Sequence, residues 1–194
     1  PTGIGARQSI FVVTNRKKDE TGELFNGERS TSLSYSAYTV SVPPGHKTGK
    51  VEWADGKPNP MTDFVTVGAA QYAGRAEFKA AVNAALVGKA GAEREVMVFI
   101  HGYNTSYSEG VYRLAQIKND FNVPGLAVHF SWPSAADTKY YVYDRDSIAL
   151  SRDGMQTMLQ DLADTNVSRI ILVGHSMGTY LTVETLRQMS MLGD

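Results

Sequence analysis

The stretch Arg169-Ile170-Ile171-Leu172-Val173-Gly174-His175-Ser176-Met177-Gly178-Thr179-Tyr180-Leu181-Thr182-Val183-Glu184-Thr185-Leu186-Arg187 decides the reading of this chain. An apolar run with the length of a buried strand stops at Gly174, and a helical pattern begins near Ser176. Between them, Gly174-His175-Ser176-Met177-Gly178 has the Gly-x-Ser-x-Gly form of a sharp strand-to-helix turn that lifts a serine hydroxyl above a sheet. Glycines let the backbone turn without a Cβ clash, and the serine between them is expected in a strained conformation. Composition alone yields such a pentapeptide in roughly one chain in fifteen of this length. The setting therefore carries the inference, and both flanking elements are present. Ser176 is the candidate nucleophile.

A second strand pattern, Glu95-Val96-Met97-Val98-Phe99-Ile100, runs straight into His101-Gly102-Tyr103-Asn104-Thr105. A serine on such a turn needs two backbone N–H groups aimed at the oxyanion it creates. One comes from the residue after the serine and one from the loop after an earlier strand. The expected donors are Met177, at the positive end of the following helix, and Tyr103, just past a glycine. His101 and Asn104 are expected beside the pocket, His101 as a hydrogen-bonded structural residue rather than a base.

Four segments occur in this order: Val98-Phe99-Ile100-His101-Gly102-Tyr103-Asn104-Thr105-Ser106, Phe130-Ser131-Trp132-Pro133-Ser134, Tyr143-Asp144-Arg145-Asp146 and Gly174-His175-Ser176-Met177-Gly178. Together they resemble a family of poorly characterised bacterial α/β-hydrolases, long catalogued as a domain of unknown function. Val13-Thr14-Asn15-Arg16-Lys17, Phe25-Asn26-Gly27-Glu28-Arg29 and Val40-Ser41-Val42-Pro43-Pro44-Gly45-His46 extend the resemblance over nearly the whole chain. The resemblance implies an α/β-hydrolase fold and an esterase- or lipase-like serine hydrolase acting on a small-molecule ester. In such enzymes an acid and then a histidine follow the serine along the chain.

The sequence departs from that pattern after Ser176. Its four histidines, His46, His101, His129 and His175, all precede the serine, and the only later carboxylates are Glu184 and Asp194. Three expectations follow: a fragment lacking about two or three C-terminal strands, a second chain that supplies acid and base, or a non-catalytic binding module. The first is preferred, and the opening Pro1-Thr2-Gly3, without a Met, agrees with trimming. Within the elbow, His175 is expected to point away from Ser176 into packing, and His129 to be a hydrogen-bonded strand residue.

The remaining sequence sets wider bounds. A chain of 194 residues with 42% hydrophobic content suits one domain, residues 1–194, with a sizeable core. With 19 basic and 20 acidic residues the net charge is −1, so no long-range field recruits nucleic acid or acidic membranes. No apolar run is long enough for a transmembrane helix. The absence of cysteine excludes thiolate nucleophiles and Cys-based zinc sites. No cofactor or metal motif is present, and a cytoplasmic or envelope location is left open.

Periodicity predicts a β-rich part over 1–70, with strands near 9–14, 33–42 and 64–67 and turns near 19–27, 43–49 and 55–60. An α/β core over 71–194 follows, with helices near 76–87, 108–121 and 144–162 alternating with strands at 96–100, 126–130 and 169–173. The expected fold class is α/β: a mostly parallel sheet with an antiparallel N-terminal edge. Trp132, just past a strand end, is a candidate wall of an acyl pocket, and Tyr141 belongs either to a small lid or to a buried helix face. Asp144 is expected to cap the long helix, with Asp146 near its positive end and Arg145 paired locally.

Overall fold

Alternate residues of the central strands point into two separate cores, and that alternation organises the molecule. The computed structural model describes residues 5–20 and 24–193. Its strands are β1 (Arg7–Lys18), β2 (Phe25–Ser41), β3 (Val65–Tyr72), β4 (Glu95–Ile100), β5 (Leu126–Ser131) and β6 (Arg169–Gly174). Its α-helices are α1 (Arg75–Ala85), α2 (Tyr107–Asp120), α3 (Tyr141–Ala163) and α4 (Met177–Leu192). The six strands form one sheet in the order β3-β2-β1-β5-β4-β6. β1, β5, β4 and β6 pair in parallel, whereas β2 and β3 add an antiparallel edge.

On one face, Val96, Val98 and Ile100 of β4 pack with Phe78 of α1, Met155 of α3 and Leu181 of α4. On the other, Met97 and Phe99 pack with Val111, Leu114 and Ala115 of α2. A strand covered on both sides has no polar face, which is why 95–100 reads as a nearly continuous apolar run. The helices that leave the adjacent strands β4 and β6 lie on opposite faces, α2 on one and α4 on the other. Their loops must therefore diverge, and a crevice opens at the carboxyl ends of β4 and β6. That is where open α/β sheets place ligands.

The expected α/β class holds, with several changes in extent. β2 begins at Phe25 rather than near 33, and it runs through the polar stretch Arg29-Ser30-Thr31-Ser32 that reads as loop. Of the expected turn at 19–27, residues 21–23 lie outside the described residues, as do Pro1-Thr2-Gly3 and Asp194. β3 continues to Tyr72, and α3 starts at Tyr141, three residues early. No described helix is long and apolar enough to cross a membrane.

His129 shows how closely α2 packs on the sheet. It is fully buried on β5, its ring lies against Phe99, and its Nδ1 faces the Phe99 carbonyl oxygen at 3.3 Å. Gly110 of α2 sits directly over the ring, so a Cβ there would collide with His129 Nε2. Alanine gains about 1 kcal/mol over glycine in helix propensity, but overpacking typically costs about 1–3 kcal/mol. The clash with a ring already pinned from below should prevail. Gly110→Ala is expected to lower stability by about 1 kcal/mol, read as a reduced urea midpoint at unchanged slope.

Candidate active site

The turn from β6 into α4 has the strained geometry that its glycines suggest. Ser176 has φ 53° and ψ −122°, a region that residues with a Cβ rarely enter and that costs on the order of 1–3 kcal/mol. The neighbouring contacts over-determine it. His175 N–H donates to the Ile100 carbonyl at 3.0 Å, continuing the β4–β6 ladder, and Gly178 N–H donates to the His175 carbonyl at 2.9 Å. Thr179 Oγ1 donates to the Gly174 carbonyl at 2.8 Å, tying the strand end to the first turn of α4. Both glycines are required by close approach. A Cβ on Gly174 would lie 2.7 Å from Thr179 Cα, and one on Gly178 would strike the carbonyls of Ile100 and His101. Ser176 itself is exposed.

Across the crevice lies the loop after β4. Gly102 meets the elbow so closely that a Cβ there would sit 2.9 Å from His175 Nδ1 and 3.1 Å from Ser176 Cβ. Tyr103 follows Gly102 and Met177 follows Ser176, so each is the chain neighbour of a residue in this contact. Among the described residues neither backbone N–H has a hydrogen-bond acceptor. Met177 is the first residue of α4, where helix geometry leaves the amide unpaired.

The loop is held by residues from distant parts of the chain. Arg16 is only 1% exposed. Its Nη2 donates to the Thr105 carbonyl at 2.7 Å, its Nη1 to the Ser134 carbonyl at 2.9 Å, and its Nε to Ser131 Oγ at 2.8 Å. Ser134 Oγ in turn donates to Asp144 Oδ2 at 2.5 Å, and the same carboxylate oxygen accepts from Asn104 N–H at 3.1 Å. Asp144 Oδ1 accepts from Ala135 N–H at 2.8 Å. Asp144 is therefore not the cap of α3. Fully buried in the first turns of that helix, it satisfies loop amides instead. Asn104, with φ 55°, takes the positive-φ conformation that Asn tolerates better than most residues. Arg145 and Asp146 do pair locally, at 3.9 Å on the surface.

Two other expectations change. Trp132 does not wall a pocket, because it is completely buried: its ring stacks on His101 at 4.6 Å and its Nε1–H donates to the His101 carbonyl at 2.7 Å. A Trp with its N–H satisfied and both sides packed has nothing left for a ligand. His175 is not packed away either. It is exposed and lines a cleft of about 330 Å3 with Trp53, Tyr103, Asn104, Glu109 and Arg113. Tyr141 is 53% exposed rather than buried, and it meets the Tyr103 ring edge-on at 5.6 Å.

None of the imidazoles is hydrogen-bonded to Ser176. His101 lies between the Gly102 carbonyl, 2.7 Å from Nδ1, and the Trp132 carbonyl, 2.9 Å from Nε2. Burial, and next the Arg16 charge, hold its pKa well below the usual histidine range, which favours the neutral ring. Burial likewise pushes His129 down to about 3. Glu184 belongs to the surface of α4, paired with Arg152 and Arg187 at 3.7 Å each. Among the described residues no group of three or more His, Cys, Asp or Glu side chains is arranged to hold a metal ion.

The fourth imidazole does something the sequence does not reveal. His46 Nδ1 meets Glu52 Oε2 at 2.8 Å and its Nε2 meets Asp120 Oδ1 at 2.7 Å. Asp120 Oδ2 also accepts from Gly49 N–H at 2.7 Å and from Gln116 Nε2 at 2.6 Å. This clamp fastens the 46–52 loop to the end of α2 and so steadies Trp53, which stacks on Tyr112 at 5.2 Å and forms a cleft wall.

Two measurements follow from these contacts. Removing the Arg16 guanidinium strands several buried acceptors, and breaking a buried charged network of this kind costs about 3–5 kcal/mol. Arg16→Met is therefore expected to lower the urea midpoint accordingly and to raise hydrogen exchange at Asn104 and Thr105. Burial disfavours a charged His46, but Glu52 and Asp120 outweigh it and raise the pKa above 6.5. Against the same burial, hydrogen bonds lower Glu52 below 4.5 and Asp120 from 3.8 to about 2. The raised histidine stabilises fully below 6.5 and fades as pH climbs through its folded value; the carboxylates contribute above their unfolded values and fade as pH falls. The Tm difference between the wild type and His46→Gln should thus peak between pH 4.5 and 6.5 and shrink on either side.

Comparison with known proteins agrees with this geometry. Residues 75–194, which include β4, the loop after it and the elbow, match the family described as α/β hydrolases of unknown function (DUF900). The N-terminal segments that share the resemblance lie outside that match. No curated protein and no solved structure matches the chain. A sheet with the elbow at its switch point, matched over more than half the chain, places this protein in the family of α/β hydrolases of unknown function.

Proposed function

We propose that the protein is a serine hydrolase that cleaves carboxylic esters of small molecules through an acyl-enzyme on Ser176. The observation that carries this reading is the positive φ of an exposed Ser176, followed by the amide of Met177 and near the loop that carries the amide of Tyr103, neither of which has an acceptor among the described residues. Oγ attacks the ester carbonyl, and the electron pair that moves onto the carbonyl oxygen is received by the N–H groups of Met177 and Tyr103. Each such donor contributes about 3–4 kcal/mol in the transition state. Collapse expels the alcohol and leaves the acyl group on the serine; attack by water then releases the acid. The cleft bounded by Trp53, Tyr103 and His175 is suited to one arm of the ester, and Tyr141 to its rim.

The proton on Oγ requires an acceptor, and the four imidazoles of this chain are committed elsewhere or unbonded to the serine. In this reading the base and its orienting acid are supplied from outside these residues, by a further segment or by a partner chain. That same gap favours a second reading, a non-catalytic module that binds a ligand in the crevice. Transfer of the acyl group to an acceptor other than water would share the acyl-enzyme and differ only in product.

With the segment or partner chain that supplies the base present, exposure to a fluorophosphonate followed by peptide mass mapping separates the readings. Hydrolysis predicts an adduct on Ser176, and p-nitrophenyl ester turnover that Ser176→Ala abolishes. An unlabelled serine supports the binding module, and turnover that survives in Ser176→Ala sinks the proposal. Ser176→Gly is expected to lose the adduct while gaining about 1 kcal/mol of stability. Relief of about 1–3 kcal/mol of backbone strain exceeds the roughly 0.5–1 kcal/mol that glycine loses in chain entropy. A matched pair of denaturation curves reads that difference.

A further inference from the structure

A second cavity lies away from Ser176, between β2 and α3. Its volume is about 580 Å3, and its lining includes Asn15, Arg29, Ser30, Thr31, Arg75 and Leu150. That volume falls in the range of small-molecule sites, and no residue of the elbow or of the loop after β4 lines it.

The cavity is made by an irregularity in the sheet. β1 and β2 pair regularly up to Thr14 opposite Ser34, and pairing resumes at Arg16 opposite Arg29. Ser30, Thr31, Ser32 and Leu33 therefore stand opposite Asn15 alone and bow out of the ladder. Bulges of this kind re-aim side chains and recur beside functional sites. On the opposite wall α3 presents Gly154, where a Cβ would come within 3.1 Å of Leu33. Helix and bulge approach there without filling the space beside them.

Two lining groups are unspent. Asn15 is 6% exposed, its Nδ2 donates to Ser151 Oγ at 2.9 Å, and its Oδ1 is buried and has no partner among the described residues. A buried carbonyl oxygen left unpaired costs about 1–3 kcal/mol, which a ligand donor recovers. Arg29 is held rigidly, with Nε donating to Ser147 Oγ at 2.9 Å, Nη2 donating to the Tyr143 carbonyl at 3.0 Å, and its carbon 4.0 Å above the Tyr143 ring. All of these partners are neutral, and among the described residues no carboxylate pairs with Arg29. Of the other charges on the wall, Arg75 is bound to Asp161, whereas Asp153 accepts from the neutral Gln188 of α4 and keeps its negative charge at an exposed position.

We propose that this cavity binds a small hydroxylated anion, whose phosphate or carboxylate group sits on Arg29 and whose hydroxyl donates to Asn15 Oδ1. The hydroxyls of Ser30 and Thr31 complete a rim suited to a polyol. A preorganised guanidinium favours such oxyanions because little side-chain freedom remains to be lost on binding. The site is independent of the chemistry at Ser176.

Titration calorimetry with glycerol 3-phosphate, glycerate and glycerol tests it on the wild-type protein. The expected result is saturable binding of at least one of the two anions, with glycerol weaker by about tenfold or more. Preference between glycerol 3-phosphate and glycerate decides whether the anionic group is a phosphate or a carboxylate. Arg29→Gln and Asn15→Leu should each weaken the preferred anion by about tenfold or more. Thr31→Glu changes an exposed rim residue, so folding is not at stake, and its added negative charge should weaken the anions while sparing glycerol. Absence of saturable binding by both anions overturns the proposal. So does glycerol binding as tightly as they do, or wild-type affinity in Thr31→Glu together with every folded variant of Arg29 and Asn15.

Discussion

The buried guanidinium of Arg16 decides where the loop after β4 can run. A cation taken out of water is tolerated only where its N–H groups find acceptors in fixed directions. Here the acceptors come from β5, the segment after it and the loop itself: Ser131 Oγ, the Ser134 carbonyl and the Thr105 carbonyl. Ser134 then passes the connection to the buried carboxylate of Asp144, which takes the amide of Asn104. Cation and anion are thus bridged by one serine, and each is anchored to the loop that offers the Tyr103 amide. Flexible backbone at that place is made rigid by charges buried beneath it.

The elbow depends on this arrangement from the other side. Ser176 retains its strained backbone because Gly178 rests on the carbonyls of Ile100 and His101, while Gly102 lies against His175 and the serine. If the loop moved outward, the packing that over-determines the serine would be lost with it. Backbone strain of this kind persists only where neighbours hold it, and it clusters where chemistry needs a displayed side chain. The His46 clamp extends the same logic to the outer wall, fixing the loop that carries Trp53 through two carboxylates on one ring.

Much of the architecture was legible from the chain alone. The apolar runs at β4, β5 and β6 and the periodic helices between them are local signals: β4 is buried on both faces and has no polar face, and β6, though partly exposed, keeps the unbroken run Ile170-Ile171-Leu172-Val173. The glycines of the elbow are equally local, because only close approach or a tight turn demands them there. The first half of β2 was not legible, since Arg29-Ser30-Thr31-Ser32 is polar and its bulge exists only through pairing with β1. Trp132 and His175 were misplaced for a related reason. A side chain beside a strand end turns inward or outward according to what packs over it, and sequence spacing does not record that.

By itself the sequence determined the α/β class, the serine on its turn and the loop that faces it, because each rests on residue type at short range. Only the tertiary structure decided what holds them. Arg16 and Thr105, Asp144 and Asn104, and His46 and Asp120 are each at least 40 positions apart in the chain. Their pairing depends on which strands lie side by side and which face each helix covers, and that information arises only when the sheet has closed around its two cores.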